Sequence, residues 1–177
     1  AARAGQLVNR HTSASTVHTS AVDDAGFGCA VTASSGYGSG EMPAGTGLWL
    51  NNCLGELELN RRGLDAGPIG ARLPSNMAPT VCRPIDAAST RVMAVGSPGA
   101  DRITTALAQA LINHFKFGWS LDRAISHPRL HVDTSGDEDR LMVEPGLDMP
   151  NTELTQTVYD KLSMYFGGVS AAQFDGD

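Results

Sequence analysis

Apolar and polar side chains alternate in two neighbouring segments near the start of the chain, over residues 17–22 and 27–33. A period of two is typical of β-strands that are buried on one face. Asp24-Ala25-Gly26 lies between the segments and supplies turn residues, so they are predicted to form a β-hairpin. Further short strands are predicted at residues 48–51, 80–82, 91–95 and 141–144.

The pattern changes to a helical period in the second half of the chain. Asp101 can cap or begin a helix that runs to about Phe117, and a short helix is predicted over residues 120–126. The apolar face of the longer helix, which we expect in the core, consists of Ile103, Leu107, Leu111 and Phe115. A final helix is predicted from Asn151 or Thr152. Its apolar face consists of Leu154, Val158, Leu162 and Tyr165.

Three segments lack either period and are predicted to be irregular. Residues 1–15 are polar and form a tail or loop, and residues 61–74 form a loop with three glycines and two prolines. Residues 34–47 are rich in Ser and Gly, a composition that favours a functional loop over a packed element. Strands and helices together indicate an α+β fold.

Composition narrows the class of protein. The 177 residues suffice for one domain, and a hydrophobic content of 41% is ordinary for a globular protein. The chain has no apolar run long enough to cross a membrane. Its net charge of −6, with 13 basic residues spread along the sequence, makes nucleic acid an unexpected partner.

Cysteine and histidine spacing predicts no metal site and no cofactor. Three widely spaced cysteines form neither a zinc motif nor a disulfide framework, which favours reduced thiols and a cytoplasmic location, although an export signal could precede this segment. His127 and His131 are four residues apart with Asp133 nearby, but Pro128 disfavours a helix that would place both rings on one face. Ordinary packing is the simpler interpretation of these histidines.

Thr16 stands at the start of the first predicted strand, in the sequence Thr16-Val17-His18-Thr19-Ser20. A threonine at a chain terminus can act as a nucleophile, because its own α-amine, with a pKa near 7.7–8.0, can accept the hydroxyl proton. The alternative is an ordinary strand threonine paired across a sheet.

Three further blocks follow this one in a fixed order. They are Gly45-Thr46-Gly47-Leu48-Trp49-Leu50-Asn51-Asn52, Arg72-Leu73-Pro74-Ser75-Asn76-Met77-Ala78-Pro79-Thr80-Val81 and Gly96-Ser97-Pro98-Gly99-Ala100-Asp101-Arg102-Ile103. Together with Pro128-Arg129-Leu130-His131, they resemble the small subunit of the γ-glutamyltranspeptidase family of N-terminal nucleophile hydrolases, from about Thr16 to Leu147. The resemblance implies half of a four-layer αββα sandwich, an antiparallel sheet with helices on one face. The other half would come from a large subunit of the same precursor.

The resemblance also implies a mechanism. The precursor would cut itself at Ser15-Thr16, so that residues 1–15 end the large subunit and residues 16–177 form the catalytic domain, whose C-terminal end we expect to be missing. The presence of both parts in one chain then indicates an uncleaved precursor, two joined pieces or a loss of self-cleavage. Gly99 and Ala100 would supply oxyanion donors and Ser34 would orient Thr16. Ala100 replaces a glycine of the family, which is tolerable if the position needs no positive φ.

Donor recognition departs from the family pattern. Beside Asn52, Cys53 stands where the family has Gln and Glu56 where it has Asp, while Ser75-Asn76 replaces a Ser pair. The loop after Ser34 is two residues shorter and lacks the family's Asn. The segment after Glu56, where the family carries a lid over the site, is also shorter. An ordinary γ-glutamyl donor is therefore not expected.

Three functions remain open from the sequence. The first is an acyl transferase or hydrolase that forms a Thr16 ester and passes the acyl group from a small-molecule donor to water or an amine. The second, which the resemblance implies through family relatives in antibiotic pathways, is a C–C bond hydrolase that attacks a pyrroline-type precursor with the same threonine. The third is a non-catalytic, unprocessed relative.

Overall fold

The computed structural model describes residues 16–57, 60, 62, 65, 67–86, 88–148 and 151–176. The strands are β1 (Thr16–Val22), β2 (Gly28–Ser34), β3 (Thr80–Cys82), β4 (Val92–Gly96), β5 (Leu130–Asp133), β6 (Arg140–Val143), β7 (Thr155–Val158) and β8 (Ser170–Phe174). The α-helices are α1 (Ile103–Leu111) and α2 (Leu121–Ser126). The described part of the chain divides into two compact units: residues 16–33 and the described residues of 74–176 form one, and the described residues of 34–73 form the other.

Strands β1 and β2 pair in the predicted hairpin, with bounds that differ from the prediction by one residue at the ends. The turn is closed by Asp23, whose carboxylate accepts the Phe27 N–H at 2.8 Å and whose own N–H donates to the Phe27 carbonyl at 3.0 Å. Burial alternates along both strands, as the period of two requires. Local turn chemistry and alternation thus specify this element.

The central sheet is antiparallel, in the order β3-β4-β8. Strand β4 is buried along its whole length, and its predicted position at residues 91–95 is confirmed to within one residue. Met93 and Val95 on one face pack against Ile103 and Leu107 of α1. The sheet therefore has a helix on this face, as the resemblance implied.

The opposite face of β4 carries the β1–β2 hairpin. A Cβ atom on Gly28 would lie 2.7 Å from the Val92 side chain, so hairpin and strand are in close contact at this end. At the other end of β4, a Cβ atom on Gly96 would overlap the imidazole of His18. This unit is therefore a stack of helix, sheet and hairpin, consistent with an α+β fold.

A third sheet has the order β5-β6-β7. Strands β5 and β6 are antiparallel, whereas β6 and β7 are parallel, with Arg140 opposite Thr155 and Val143 opposite Val158. The antiparallel sheet that the resemblance implies is found in β3-β4-β8, and the β6–β7 pair departs from it. The strand predicted at 141–144 is confirmed as β6, while β5 and β8 were not anticipated.

The predicted final helix is wrong. Residues 155–158 form β7, Met164–Phe166 form a short 3₁₀ turn, and Val158 and Leu162 are exposed. Two β-branched threonines and Val158 suit a strand, and pairing with β6 outweighs a helical spacing of only four apolar residues. Gly167 and Gly168 then separate this segment from β8.

The long helix forms, but its geometry changes towards the end. Ala100–Arg102 is a 3₁₀ turn, Ile103–Leu111 is α-helical, and Ile112–Lys116 is a π-helix. Ile103 and Leu107 are buried as predicted, whereas Phe115 is 60% exposed. The wider π turn shifts the register, which explains why Phe115 leaves the core face.

The structure describes all of residues 48–51, which lie in the second unit, and they form no strand. The strand predicted there is therefore wrong. An isolated parallel bridge joins Gly36 to Asn52, and Cys53–Gly55 form a 3₁₀ turn. Residues 40–51 are exposed throughout. Among the described residues of the whole chain, no helix has the length and apolarity that crossing a membrane requires.

Candidate active site

The His18 ring fixes the hairpin against the end of β4. Its two ring nitrogens lie 2.7 Å from the hydroxyls of Thr32 and Ser20, and the ring fills the space beside Gly96 where any other residue would carry a Cβ atom. Burial lowers the pKa of His18 below its ordinary value. His18 is therefore a neutral, hydrogen-bonded spacer between the hairpin and the central sheet.

This contact determines where the hairpin points. Gly28, near the closed end, lies against Val92, and His18, near the open end, lies against Gly96. The chain from Val22 to Thr16 therefore runs in the same direction as β4 runs from Val92 to Gly96. At about 3.3 Å per residue, Thr16 extends about 7 Å beyond His18, towards the side on which Ser97 and Gly99 follow β4.

The turn after β4 has an unusual backbone. Gly99 is buried, with φ 138° and ψ 22°, and Ala100 has φ 52°. The condition under which alanine is easily tolerated at position 100, a backbone that needs no positive φ, is therefore not met. The left-handed conformation costs about 1–2 kcal/mol for a residue with a Cβ atom. Ala100 thus keeps a backbone that suits glycine, at a cost in conformational energy.

The turn leads directly into a helix. The Arg102 N–H donates to the Gly99 carbonyl at 3.0 Å, which closes the first 3₁₀ turn. Backbone N–H groups that precede a first helical turn have no intrahelical acceptor. The Gly99 and Ala100 N–H groups have this position, so they can donate to a negative oxygen of a ligand.

The segment before β8 packs against this turn. A Cβ atom on Gly99 would lie 2.8 Å from the Gly167 Cα, and the Gly168 N–H lies 3.1 Å from Ser97 Oγ and 3.3 Å from the Pro98 carbonyl oxygen. Ser97 is 1% exposed, and its hydroxyl donates to the Pro98 carbonyl at 2.5 Å. The turn is therefore enclosed by backbone atoms from a distant part of the sequence.

Arg102 makes a second connection to the same segment. Its Nε donates to the Tyr165 carbonyl at 3.0 Å, its guanidinium lies 4.6 Å from the centre of the Tyr165 ring, and it pairs with Asp101. The Tyr165 hydroxyl in turn lies 3.3 Å from the Asp133 carboxylate. Burial and the Asp133 charge raise the pKa of Tyr165, so its hydroxyl stays protonated and can donate.

Ser34, which is expected to orient Thr16, and the candidate recognition residues Asn52, Cys53 and Glu56 belong to the other unit. Ser34 Oγ accepts the Gly36 N–H at 3.0 Å, and Asn52 N–H donates to the Ser35 carbonyl at 3.0 Å. Glu56 is 8% exposed. A Cβ atom on Gly36 would lie 2.7 Å from its carboxylate oxygen Oε1. Within this unit, the loop after Ser34 and the Asn52–Glu56 segment are thus brought together.

The same segment affects the Cys53 side chain. Burial, and then the Glu56 charge, raise the pKa of the Cys53 thiol. Cys53 therefore remains a protonated thiol at neutral pH, which donates only weak hydrogen bonds. It does not replace the hydrogen bonds of an amide side chain.

Ser75 and Asn76 lie in the first unit, just before β3. Ser75 is exposed and its hydroxyl oxygen accepts the Met77 N–H at 3.2 Å, while Asn76 is half-buried. Ser15 of the expected cleavage bond lies outside the described residues.

The histidine pair has packing partners. Nδ1 of His131 lies 3.0 Å from the Thr105 hydroxyl, and the His127 ring lies 4.8 Å from the Trp119 ring. In the described parts of the chain, no group of three or more His, Cys, Asp or Glu side chains is arranged to hold a metal ion.

Sequence reasoning missed His18, Ser97, Arg102 and Gly167. His18 could have been found, because a period of two places it on the same strand face as Thr16. The Gly167-Gly168 pair could have indicated a close backbone approach. Ser97 and Arg102 act through contacts with residues more than 60 positions away, which no local pattern reveals.

Comparison with known proteins shows which family this chain belongs to. The model of the family described as gamma-glutamyltranspeptidase matches residues 2–175. The chain belongs to the γ-glutamyltranspeptidase family. Curated relatives include the glutathione hydrolase proenzymes of Pseudomonas sp. (strain A14), 32% identical over 68% of the chain, and of Escherichia coli K12, 29% identical over 84%. The chain spans only about a quarter of their lengths, 23% and 27%.

Solved structures of the family share the fold. A γ-glutamyltranspeptidase from Pseudomonas nitroreducens, solved with L-DON, matches with a TM-score of 0.69 at 22% identity, covering 90% of this chain and 89% of that one. The Helicobacter pylori enzyme matches with a TM-score of 0.65 at 28% identity, covering 87% and 88%. The likeness therefore extends over nearly all of a solved chain of the γ-glutamyltranspeptidase fold.

Proposed function

We propose that this chain is the catalytic small-subunit part of an N-terminal-threonine acyl transferase or hydrolase with altered donor specificity. The observation that supports it best is the direction of the hairpin, which carries Thr16 beyond Gly96 towards the left-handed Gly99–Ala100 turn. Family membership supports the same class of reaction. The partner is the large subunit of the same precursor, which would complete the sandwich.

The first step is self-cleavage. Thr16 Oγ attacks the Ser15 carbonyl carbon, the peptide C–N bond breaks as the nitrogen takes a proton, and an ester remains. Water hydrolyses the ester, which leaves a Ser15 carboxylate and a free Thr16 α-amine. The new amine then lies on the same residue as the hydroxyl that it activates.

The second step transfers the acyl group. The Thr16 amine accepts the hydroxyl proton as Oγ attacks the donor carbonyl, and the leaving amine departs with that proton. The Gly99 and Ala100 N–H groups stabilise the tetrahedral oxyanion, and losing one such donor typically costs about 2.7–4 kcal/mol. The Ser34 hydroxyl orients Thr16. Water or an amine then attacks the ester and releases Thr16.

Donor recognition differs from that of the family. Glu56 supplies a carboxylate for the donor α-ammonium, and Ser75 with Asn76 contributes to binding its α-carboxylate. Cys53, held as a thiol, does not replace an amide, and an undersatisfied buried amine costs roughly 1–3 kcal/mol. The enzyme therefore prefers a donor with fewer polar groups than a γ-glutamyl compound.

The test uses the full precursor. Its intact mass after purification reports cleavage at Ser15-Thr16, and incubation with γ-glutamyl-p-nitroanilide and less polar amides reports acylation by mass spectrometry of the Thr16 peptide. We expect cleavage and an acylated Thr16, with faster turnover for a less polar donor. An intact precursor with no acylated Thr16 for any donor would instead support a non-catalytic relative.

A further inference from the structure

The Gly99–Ala100 turn is held from outside by the Tyr165–Gly168 segment, and this contact has a functional consequence. We propose that Ser97 and Gly167 are positioning residues that keep Ala100 left-handed, so that the turn's N–H groups stay aimed at the reacting carbonyl. The inference rests on the proposed function of Gly99 and Ala100 as oxyanion donors. It adds a role for two residues that touch no substrate.

Gly167 permits the close approach. A Cβ atom at position 167 would lie 2.7 Å from Ser97 Oγ and 2.9 Å from the Pro98 carbonyl oxygen, and one on Gly99 would lie 2.8 Å from the Gly167 Cα. Gly167 itself has φ 79°, in the region that favours glycine. Backbone therefore packs directly on backbone, and the turn cannot move towards this side.

Ser97 links the two segments by hydrogen bonds. Its buried Oγ accepts the Gly168 N–H at 3.1 Å and donates to the Pro98 carbonyl at 2.5 Å. Arg102, just after the turn, reaches the Tyr165 carbonyl at 3.0 Å. Residues on both sides of Ala100 are thus tied to one segment, which fixes the ends of the turn.

Ala100 is where such ties are needed. With φ 52°, it adopts a backbone that alanine avoids unless its surroundings impose it. If the ties loosen, Ala100 relaxes to negative φ, and its peptide N–H rotates away. Glycine populates both signs of φ about equally, so it would depend less on the ties.

The test compares Ser97→Ala with and without Ala100→Gly in the full precursor, with kinetics normalised to cleaved protein. Alone, Ser97→Ala should lower kcat about tenfold with little change in KM, because displaced N–H donors stabilise the transition state less. Combined with Ala100→Gly, the same change should cost about threefold or less. Ser120→Ala is the matched control, since that hydroxyl also accepts a backbone N–H, from Arg123 at 3.4 Å, and lies in α2's cap.

Two kinetic results with the Ser97→Ala variants would overturn the inference. One is an equal kcat loss from Ser97→Ala in both backgrounds, and the other is an equal loss from Ser97→Ala and Ser120→Ala. Gly167→Ala gives a second perturbation, with a lower kcat expected if its thermal midpoint shows a folded protein. A Gly167→Ala variant that folds and keeps its kcat would also contradict the proposal.

A readout without catalysis separates this inference from the proposed function. Ala100→Gly should raise the thermal midpoint, and it should do so more with Ser97 present than in Ser97→Ala, because only the tied turn is strained. If the unchanged protein acylates no donor, the proposed function fails, and the midpoints then decide only whether Ser97 holds Ala100 in its left-handed conformation. Equal gains in both backgrounds would reject it.

Discussion

The turn after β4 and the segment 34–57 are held in opposite ways. In the turn, Ser97 and Gly99 are buried, and a Cβ atom on Gly99 would lie 2.8 Å from Gly167. In the segment, residues 40–51 are exposed, and a Cβ atom on Gly38 would meet nothing within 4 Å. Packing therefore fixes the backbone proposed for catalysis, whereas much of the proposed recognition segment has room to change.

The distribution of departures from the family follows this difference. In the turn, Ala100 has the left-handed backbone that suits glycine, so the main-chain donors that we propose keep their place. In the segment, Cys53 and Glu56 are the residues that we propose to alter the groups that a donor would meet. Reaction chemistry and donor choice can therefore be tested separately.

Removing the nucleophile should have the largest effect. Thr16→Ala in the full precursor should abolish both self-cleavage and acylation, a loss of roughly 10⁴-fold or more in kcat, because no other group forms the ester. Thr16→Ser is the matched control, since it keeps an alkyl hydroxyl and should retain measurable cleavage. Intact mass and release of p-nitroaniline measure the two steps, and acylation without the Thr16 hydroxyl would refute the mechanism.

Adding a methyl group to the buried turn should have the next largest effect. Gly99→Ala should lower kcat about 100-fold, because the turn must shift by a large part of an ångström away from Gly167. Gly118→Ala is the control, since Gly118 has φ 68° but open space around it, and should cost stability without a similar loss of kcat. Equal kcat losses in the two variants would remove the contrast between tied and open backbone.

Changing the recognition carboxylate should have a moderate effect. Glu56→Gln should lower kcat/KM about tenfold for donors with an α-amine, through a loss of charge-assisted hydrogen bonding, and little for analogues without that amine. Glu41→Gln, in an exposed position of the same segment, provides the control. A loss that is the same for both donor types would assign Glu56 a structural role.

The smallest effect concerns pH and stability. Burial lowers the pKa of His18 in the folded protein, while the unfolded chain titrates near 6.5. The free energy of unfolding should therefore be highest above pH 6.5 and fall as the pH drops towards the folded pKa, since the unfolded state then binds more protons. Urea unfolding between pH 7.5 and 5 measures this slope. His18→Asn should make it shallower, and an unchanged slope would contradict a neutral His18.

The sequence allowed the elements with strong local signals to be predicted. Alternation and Asp23 to Gly26 define the hairpin, and Ile103 with Leu107 defines the start of α1. Prediction failed in two places. Thr155–Val158 joins β6 as a strand, because pairing with distant residues decides its structure. A π turn at the end of the long helix moves Phe115 out of the core. Local spacing carries no information about either event.

For the candidate site, motif order indicated Thr16, Gly99 and Ala100, but it did not predict the backbone conformation of the turn or the contacts that position it. The positive φ of Ala100 arises in a turn held by Gly167 and Ser97, which lie far apart in the sequence. The role of His18 depends on the absence of a side chain at Gly96. Such contacts are properties of packing, so they could be found only in three dimensions.

The facing glycines Gly99 and Gly167 have a consequence for directed evolution. Neither position can accept a larger residue unless the opposite backbone moves, so single-site libraries there should yield almost no active clones. Randomising the exposed loop residues between Gly38 and Gly47, with the positive-φ glycines of that loop kept, should instead give many viable sequences. If the proposed acyl transfer holds, new acyl donors are therefore best sought by diversifying that loop while Gly99 and Gly167 are left unchanged.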